Sequence, residues 1–131
     1  MTVVLAEDDV DIRDLVQIVL EGLGLTVTAV GNGAEALAAA REQDPKFLLL
    51  DITMPGMNGL EVCRAVRADP ELAELPIIFM TARAQASDVA AGMEAGADTY
   101  IIKPFGPIEL REHLEATRAK RGRPLDIDSP F

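Results

Sequence analysis

Five short runs of apolar, β-favouring residues recur at near-even spacing: Val3 to Ala6, Leu25 to Val30, Phe47 to Leu50, Ile77 to Met80 and Tyr100 to Ile102. Each run is continuous rather than alternating, which is the pattern of parallel strands covered on both faces. Helical periodicity fills the intervals. It is clearest in Ile12, Leu15, Val16, Val19, Leu20 and Leu23, which predict one apolar helix face, with Asp9 or Asp11 as the cap and Gly24 as the stop. A second helix is expected over Ala34 to Gln43, after the turn Gly31-Asn32-Gly33. A third starts near Gly59, with Leu60, Cys63 and Val66 on one face, and ends at Asp69-Pro70. The fourth, Ala86 to Ala95, is alanine-rich, with Val89 and Met93 as its large anchors. The fifth runs from Pro107 to near Arg121.

Strand and helix thus alternate five times. This predicts a three-layer α/β fold, a (βα)5 doubly wound parallel sheet. For five strands the flavodoxin-like order 2-1-3-4-5 is expected, with the first and third strands adjacent at the topological switch point. Ligands of such sheets bind outside the carboxyl ends of the strands at that point. A chain of 131 residues suits one domain. That domain is placed at residues 1–120. Residues 121–131, polar and carrying Gly122, Pro124 and Pro130, read as a flexible tail or linker behind a small basic cluster of Arg118, Lys120, Arg121 and Arg123.

The strand ends carry the chemistry. The first strand runs into Glu7-Asp8-Asp9, and the third, three leucines long at its close, runs into Asp51. An acidic triplet before a helix can simply cap it. Asp51 has no such explanation, because the next helix begins only near Gly59. With the two strands adjacent, Glu7, Asp8 and Asp51 converge, and carboxylates packed together repel unless a cation sits among them. Oxygen donors of this kind suit Mg2+ or Ca2+, with Mn2+ as a substitute for Mg2+. The fourth strand ends at Thr81, beside the small Ala82, and the fifth at Lys103-Pro104. Taken singly, Thr81 reads as a turn residue and Lys103 as a surface lysine. On one rim, a metal-holding carboxylate, a hydroxyl and an ammonium make a site for a phosphoryl group.

Net charge narrows the partners. At -10, from 12 basic and 22 acidic side chains, the chain repels phosphodiester backbones, so direct nucleic acid binding is not expected. The apolar runs are too short to span a bilayer, so no membrane contact is expected. Met1 to Leu5 lacks the basic start of a signal peptide, and Cys63 is the single cysteine, which together suit a cytoplasmic setting.

The chain resembles the bacterial response-regulator receiver domain over about residues 2 to 118. The likeness rests on Glu7-Asp8, "LLLDITMPGMNG" at 48–59, "MTA" at 80–82, "GADTYIIKPF" at 96–105 and the following "PIEL". The resemblance implies that Asp51 accepts a phosphoryl group from a phosphohistidine of a sensor histidine kinase or phosphotransfer protein. It implies that Asp8, Asp51 and the backbone carbonyl of Thr53 ligate Mg2+, with Glu7 acting through water. Lys103 would pair with the phosphoryl group or with Asp51. The Thr81 hydroxyl would move to the phosphoryl group, Ala82 would leave room for it, and Tyr100 would turn inward. A cis peptide is implied before Pro104. The chain would be a phospho-acceptor rather than an enzyme, a monomer or weak dimer. It would signal through the face formed by its fourth helix, fifth strand and fifth helix to an effector protein or a fused output domain.

Some positions depart from family patterns. Pro45-Lys46-Phe47 replaces the usual proline-aspartate lead into the third strand. The winged-helix subfamily dimerises through ion pairs, and of those positions Glu109 is kept while Val89, Thr99 and His113 are not, so that dimer is not expected. His113 reads as a surface residue. A haloacid-dehalogenase-type phosphatase would need an acid where Thr53 stands, and a flavodoxin-type binder would need a Ser/Thr/Gly-rich loop where "EDDVD" stands. A receiver-like module that is never phosphorylated would not need the full set Glu7, Asp8, Asp51, Thr81 and Lys103.

Overall fold

The structure is a computed structural model that describes residues 1–81, 86–103 and 105–120, with the backbone alone at 81, 86–88 and 120. Strands β1 (Thr2–Ala6), β2 (Thr26–Val30), β3 (Phe47–Asp51), β4 (Ile77–Thr81) and β5 (Thr99–Ile102) alternate with helices α1 (Val10–Gly22), α2 (Gly33–Gln43), α3 (Gly59–Ala68), α4 (Ala86–Glu94) and α5 (Pro107–Lys120). All strand pairs are parallel, in the order β2-β1-β3-β4-β5. Both the three-layer reading and the strand order hold. The residues 121–131 expected as a tail lie outside the described residues.

The continuous apolar strands are explained by two cores. Val3, Leu5, Phe47, Leu49, Ile78, Met80 and Ile101 face Val16 and Leu20 of α1 and Leu110 and Leu114 of α5. Val4, Ala6, Leu48, Leu50, Ile77 and Phe79 face the alanines of α2 and Val62, Cys63 and Val66 of α3. Successive side chains alternate faces, so a strand buried on both needs apolar residues at every position. Leu48, Leu49 and Leu50 are all fully buried, each contributing about 2 kcal/mol. They hold β3 rigidly up to the residue where it leaves the core.

Helix ends follow local chemistry. Asp9 is the cap of α1, its Oδ1 accepting from the amides of Asp11 at 3.0 Å and Ile12 at 3.1 Å. Past the end of that helix, Leu25 N–H donates to Leu20 O and Gly24 N–H to Glu21 O, a Schellman ending. Asn58 and Glu61 form a reciprocal capping box at α3.

Three packing expectations need correction. Leu15 is 60% exposed, because only the strip centred on Val16 and Leu20 meets the sheet and Leu15 lies about 100° round the helix from Val16. Met93 does not anchor α4: it is 39% exposed, and among the helix residues whose side chains are described the buried one is Gly92. His113 is half-buried rather than on the surface. Cys63 is buried as expected and directs its Sγ to Ala95 O at 3.3 Å. No helix among the described residues is long and apolar enough to cross a membrane.

Candidate functional site

The register of β1 and β3 ends at Ala6 opposite Leu50, so Glu7 and Asp51 stand one step further along neighbouring strands. Glu7 N–H still donates to Val30 O at 3.1 Å, which carries the β1–β2 ladder one residue past Ala6. The acidic triplet then divides its labour. Asp9 caps α1, while Glu7, Asp8 and Asp51 bring carboxylate oxygens within 4.8 Å of one another. Glu7 is 1% exposed, Asp51 half-buried and Asp8 exposed.

Lys103, just past β5, reaches over the end of β4 into this group. Its Nζ donates to Glu7 Oε2 at 2.8 Å and to Asp51 Oδ2 at 3.1 Å. The other Asp51 oxygen, Oδ1, accepts from Thr53 N–H at 3.1 Å, so the β3–α3 loop turns its backbone onto the carboxylate. That loop closes where Gly59 N–H donates to Ile52 O at 2.9 Å. A Cβ at Gly59 would collide with the Asp51 carbonyl, so only glycine lets α3 begin hard against the end of β3.

Of the sequence-derived site residues, the structure brings together Glu7, Asp8, Asp51 and Lys103, with Thr53 beside them through its amide. Tyr100 is half-buried and packs on the α2–α3 side of the sheet. The backbone of Thr81 pairs with Ile102, one residue before Lys103, which puts it on the same rim. The Thr81 hydroxyl, Ala82 and the Lys103–Pro104 peptide lie outside the described residues. Sequence reasoning missed the direct Glu7–Lys103 ion pair and the support of Arg13, whose guanidinium donates to Glu7 O at 3.1 Å. Both are contacts between residues remote in sequence or on opposite sides of a turn, and no spacing rule signals them.

Burial pushes the Glu7 carboxyl up from its ordinary 4.5 to about 7; the Lys103 hydrogen bond opposes that rise and Asp51 adds to it. Burial pulls the Lys103 ammonium down, but its hydrogen bonds and the charges of Glu7 and Asp51 outweigh this, and its pKa is raised. A carboxyl that holds its proton more tightly when folded stabilises the fold fully below 4.5, and that stability is lost as pH rises through about 7. The loss for Glu7 is about 3 kcal/mol at most. Metal-free wild type should therefore lose stability between about pH 5 and about pH 8, and Glu7→Gln should lose about 3 kcal/mol less over that interval. Urea unfolding in a chelator measures this, and equal pH slopes in the two proteins would refute it.

The chain matches the family described as response regulator receiver domain over residues 3–115. Among curated relatives, it is 43% identical over 114 residues to the DNA-binding response regulator MtrA of Mycobacterium tuberculosis, covering 87% of this chain and 49% of that protein. The chain spans about half the length of the curated relatives it matches. Among solved structures, it is similar to the receiver domain of the sensor histidine kinase PA1611 from Pseudomonas aeruginosa PAO1, a structure with a magnesium ion coordinated in the active site cleft. The TM-score is 0.84 at 30% identity, over 90% of this chain and 97% of that one. It is likewise similar to the chemotaxis response regulator CheY4 of Vibrio cholerae, with TM-score 0.82 and 30% identity over 88% and 97% of the two chains.

Proposed function

Because the chain belongs to the response regulator receiver domain family of two-component systems, we propose that Asp51 is its phospho-acceptor. The observation that carries this reading is the Asp51 carboxylate at the mouth of the sheet, bridged by Lys103 and flanked by Glu7 and Asp8. One Asp51 oxygen forms an O–P bond as the P–N bond of a phosphohistidine on a sensor histidine kinase or phosphotransfer protein breaks. The electron pair leaves with the imidazole. Fully buried leucines hold the carboxylate in place, so little positional freedom remains to be lost at the moment of transfer. Lys103 supplies positive charge where phosphoryl oxygens gather, and the family resemblance assigns a further hydrogen bond there to the Thr81 hydroxyl.

The donor set is all oxygen and clusters within 4.8 Å, which fits a hard divalent cation. Asp8, Asp51 and the Thr53 carbonyl would hold Mg2+ or Mn2+, with Glu7 acting through water. When bound, the ion neutralises carboxylate and phosphoryl charge together. The chain is a switch rather than an enzyme. It works in the cytoplasm as a monomer or weak dimer, and it signals through its α4-β5-α5 face to an effector protein or a fused output domain. Tyr100, half-buried on β5, turns inward as that face changes.

Incubation with acetyl phosphate and Mg2+ followed by intact mass measurement tests the reading. Wild type should gain one phosphoryl group, and Asp51→Asn none. An unmodified wild-type protein, or an adduct that persists in Asp51→Asn, overturns it.

A further inference from the structure

Arg13 stands in the first turn of α1, where the helix dipole disfavours a cation. Among the described residues it forms no ion pair, so charge pairing does not explain its place. Its side chain leans back towards the helix start, as helical side chains do, and Nη1 donates to Glu7 O at 3.1 Å. The peptide it grips joins Glu7 to Asp8. A peptide unit is planar, so fixing its oxygen fixes the direction in which both α-carbons leave it. On its other side Glu7 is held by its own N–H, which donates to Val30 O at 3.1 Å.

The two acids on that peptide are held differently. The Glu7 carboxylate accepts from Lys103 Nζ at 2.8 Å and from Asp9 N–H at 3.3 Å. The Asp8 carboxylate is exposed and, among the described residues, accepts no hydrogen bond. Its position follows from the backbone that carries it. Gly31, just past β2, makes room for the guanidinium that holds this backbone. A Cβ there would lie 2.8 Å from Arg13 Nη1 and 3.9 Å from Cζ; among the described residues beyond its chain neighbours it would meet nothing else within 4 Å. The φ of Gly31 is outside the left-handed region, so alanine suits the backbone at that point. Arg13, rather than the turn, is what requires the glycine.

We propose that Arg13 is a positioning residue of the site: seated on Gly31, it fixes the Glu7–Asp8 peptide and thereby aims the Asp8 carboxylate at the cation that Asp8 and Asp51 share. The cation belongs to the phospho-acceptor reading, and the proposal rests on it. Groups that hold a metal ligand in place typically change metal affinity by about 10- to 100-fold. Arg13 acts through the main chain, so the low end of that range applies. The sign is diagnostic. A guanidinium repels a cation through space, so its charge alone predicts tighter binding once Arg13 is removed; positioning predicts weaker binding.

The test titrates Mg2+ alone into the full chain, followed by the amide signals of residues 51–53, at about 1 M NaCl, where the Debye length is about 3 Å. Arg13→Met should bind Mg2+ about tenfold more weakly than wild type. Gly31→Ala keeps the charge and only displaces the guanidinium, and it should weaken binding about threefold or more. In the Arg13→Met background the same alanine should change affinity by less than about twofold, since its Cβ has nothing left to displace. Unchanged or tighter binding by Arg13→Met, or an alanine effect that persists without Arg13, overturns the proposal. So does a lower urea midpoint with unaltered Mg2+ affinity, which would make Arg13 a support of the fold alone. If Arg13→Met does not fold, Gly31→Ala decides. If wild type binds no Mg2+, the cation reading fails and takes the proposal with it. If wild type binds Mg2+ but takes no phosphoryl group from acetyl phosphate, the phospho-acceptor reading fails alone, and the Mg2+ comparison still decides the role of Arg13.

Discussion

Lys103→Met is expected to cost the metal-free protein about 3 kcal/mol near pH 8, and clearly less near pH 5.5. Its side chain is 11% exposed and serves two carboxylates at once, one of them buried. Removing one partner of such an ion pair leaves charge in a medium that solvates it poorly. The pH dependence comes from Glu7, whose carboxyl sits at about 7. Above that pH, Glu7 is ionised and depends on the ammonium; below it, Glu7 is neutral and mainly Asp51 loses its partner. Urea unfolding in a chelator at both pH values measures the effect. A loss independent of pH would mean that Lys103 contributes only the packing of its stem. On the proposed phospho-acceptor reading, the same variant should take up phosphoryl from acetyl phosphate more slowly, because the charge assigned to the phosphoryl oxygens is gone.

Asp98→Ala is expected to destabilise the protein by about 3 to 5 kcal/mol, because the Arg67 charge and the Ile77 N–H both lose an acceptor in a site with little water. Asp98→Asn keeps an acceptor for both donors and should cost only about 1 to 2 kcal/mol. Arg67→Met should cost nearly as much as Asp98→Ala, since Asp98, Gly96, Ala73 and Leu75 all lose a donor. The double variant should fall short of the sum of the singles by about 1 to 3 kcal/mol, the coupling of groups in direct contact. Denaturant titration with unchanged slope measures all four proteins. Strict additivity would show that the two side chains act separately. The Glu7, Asp8 and Asp51 cluster should be little affected, because Asp98 meets β4 at Ile77, the opposite end of that strand from the site rim.

Reading the fold from the chain worked best where periodicity and burial agree. Leu48, Leu49 and Leu50 could only be a strand covered on both faces, and they are. It failed where the covered strip is narrower than the apolar pattern, as at Leu15, and where contact is made by the absence of a side chain, as at Gly92 against Phe79. The site was legible for a related reason. Asp51 closes β3, Glu7 and Asp8 are the next two residues after β1 and Lys103 the next after β5, and parallel strands deliver their carboxyl ends to one rim.

The amino-acid sequence alone determined the layers, the strand order and the four charged groups that meet at the rim, because these depend on local periodicity and on a topology rule that holds for parallel sheets. Only the tertiary structure decided which acid pairs with Lys103, which one caps α1 and which stays exposed. The cause is burial. Glu7, one residue past the buried run Val3 to Ala6, is enclosed and raised in pKa, while its neighbour Asp8 stays at the surface. The Arg67–Asp98 pair was likewise settled by folding, since it joins groups 31 residues apart in the chain that are poorly solvated without each other.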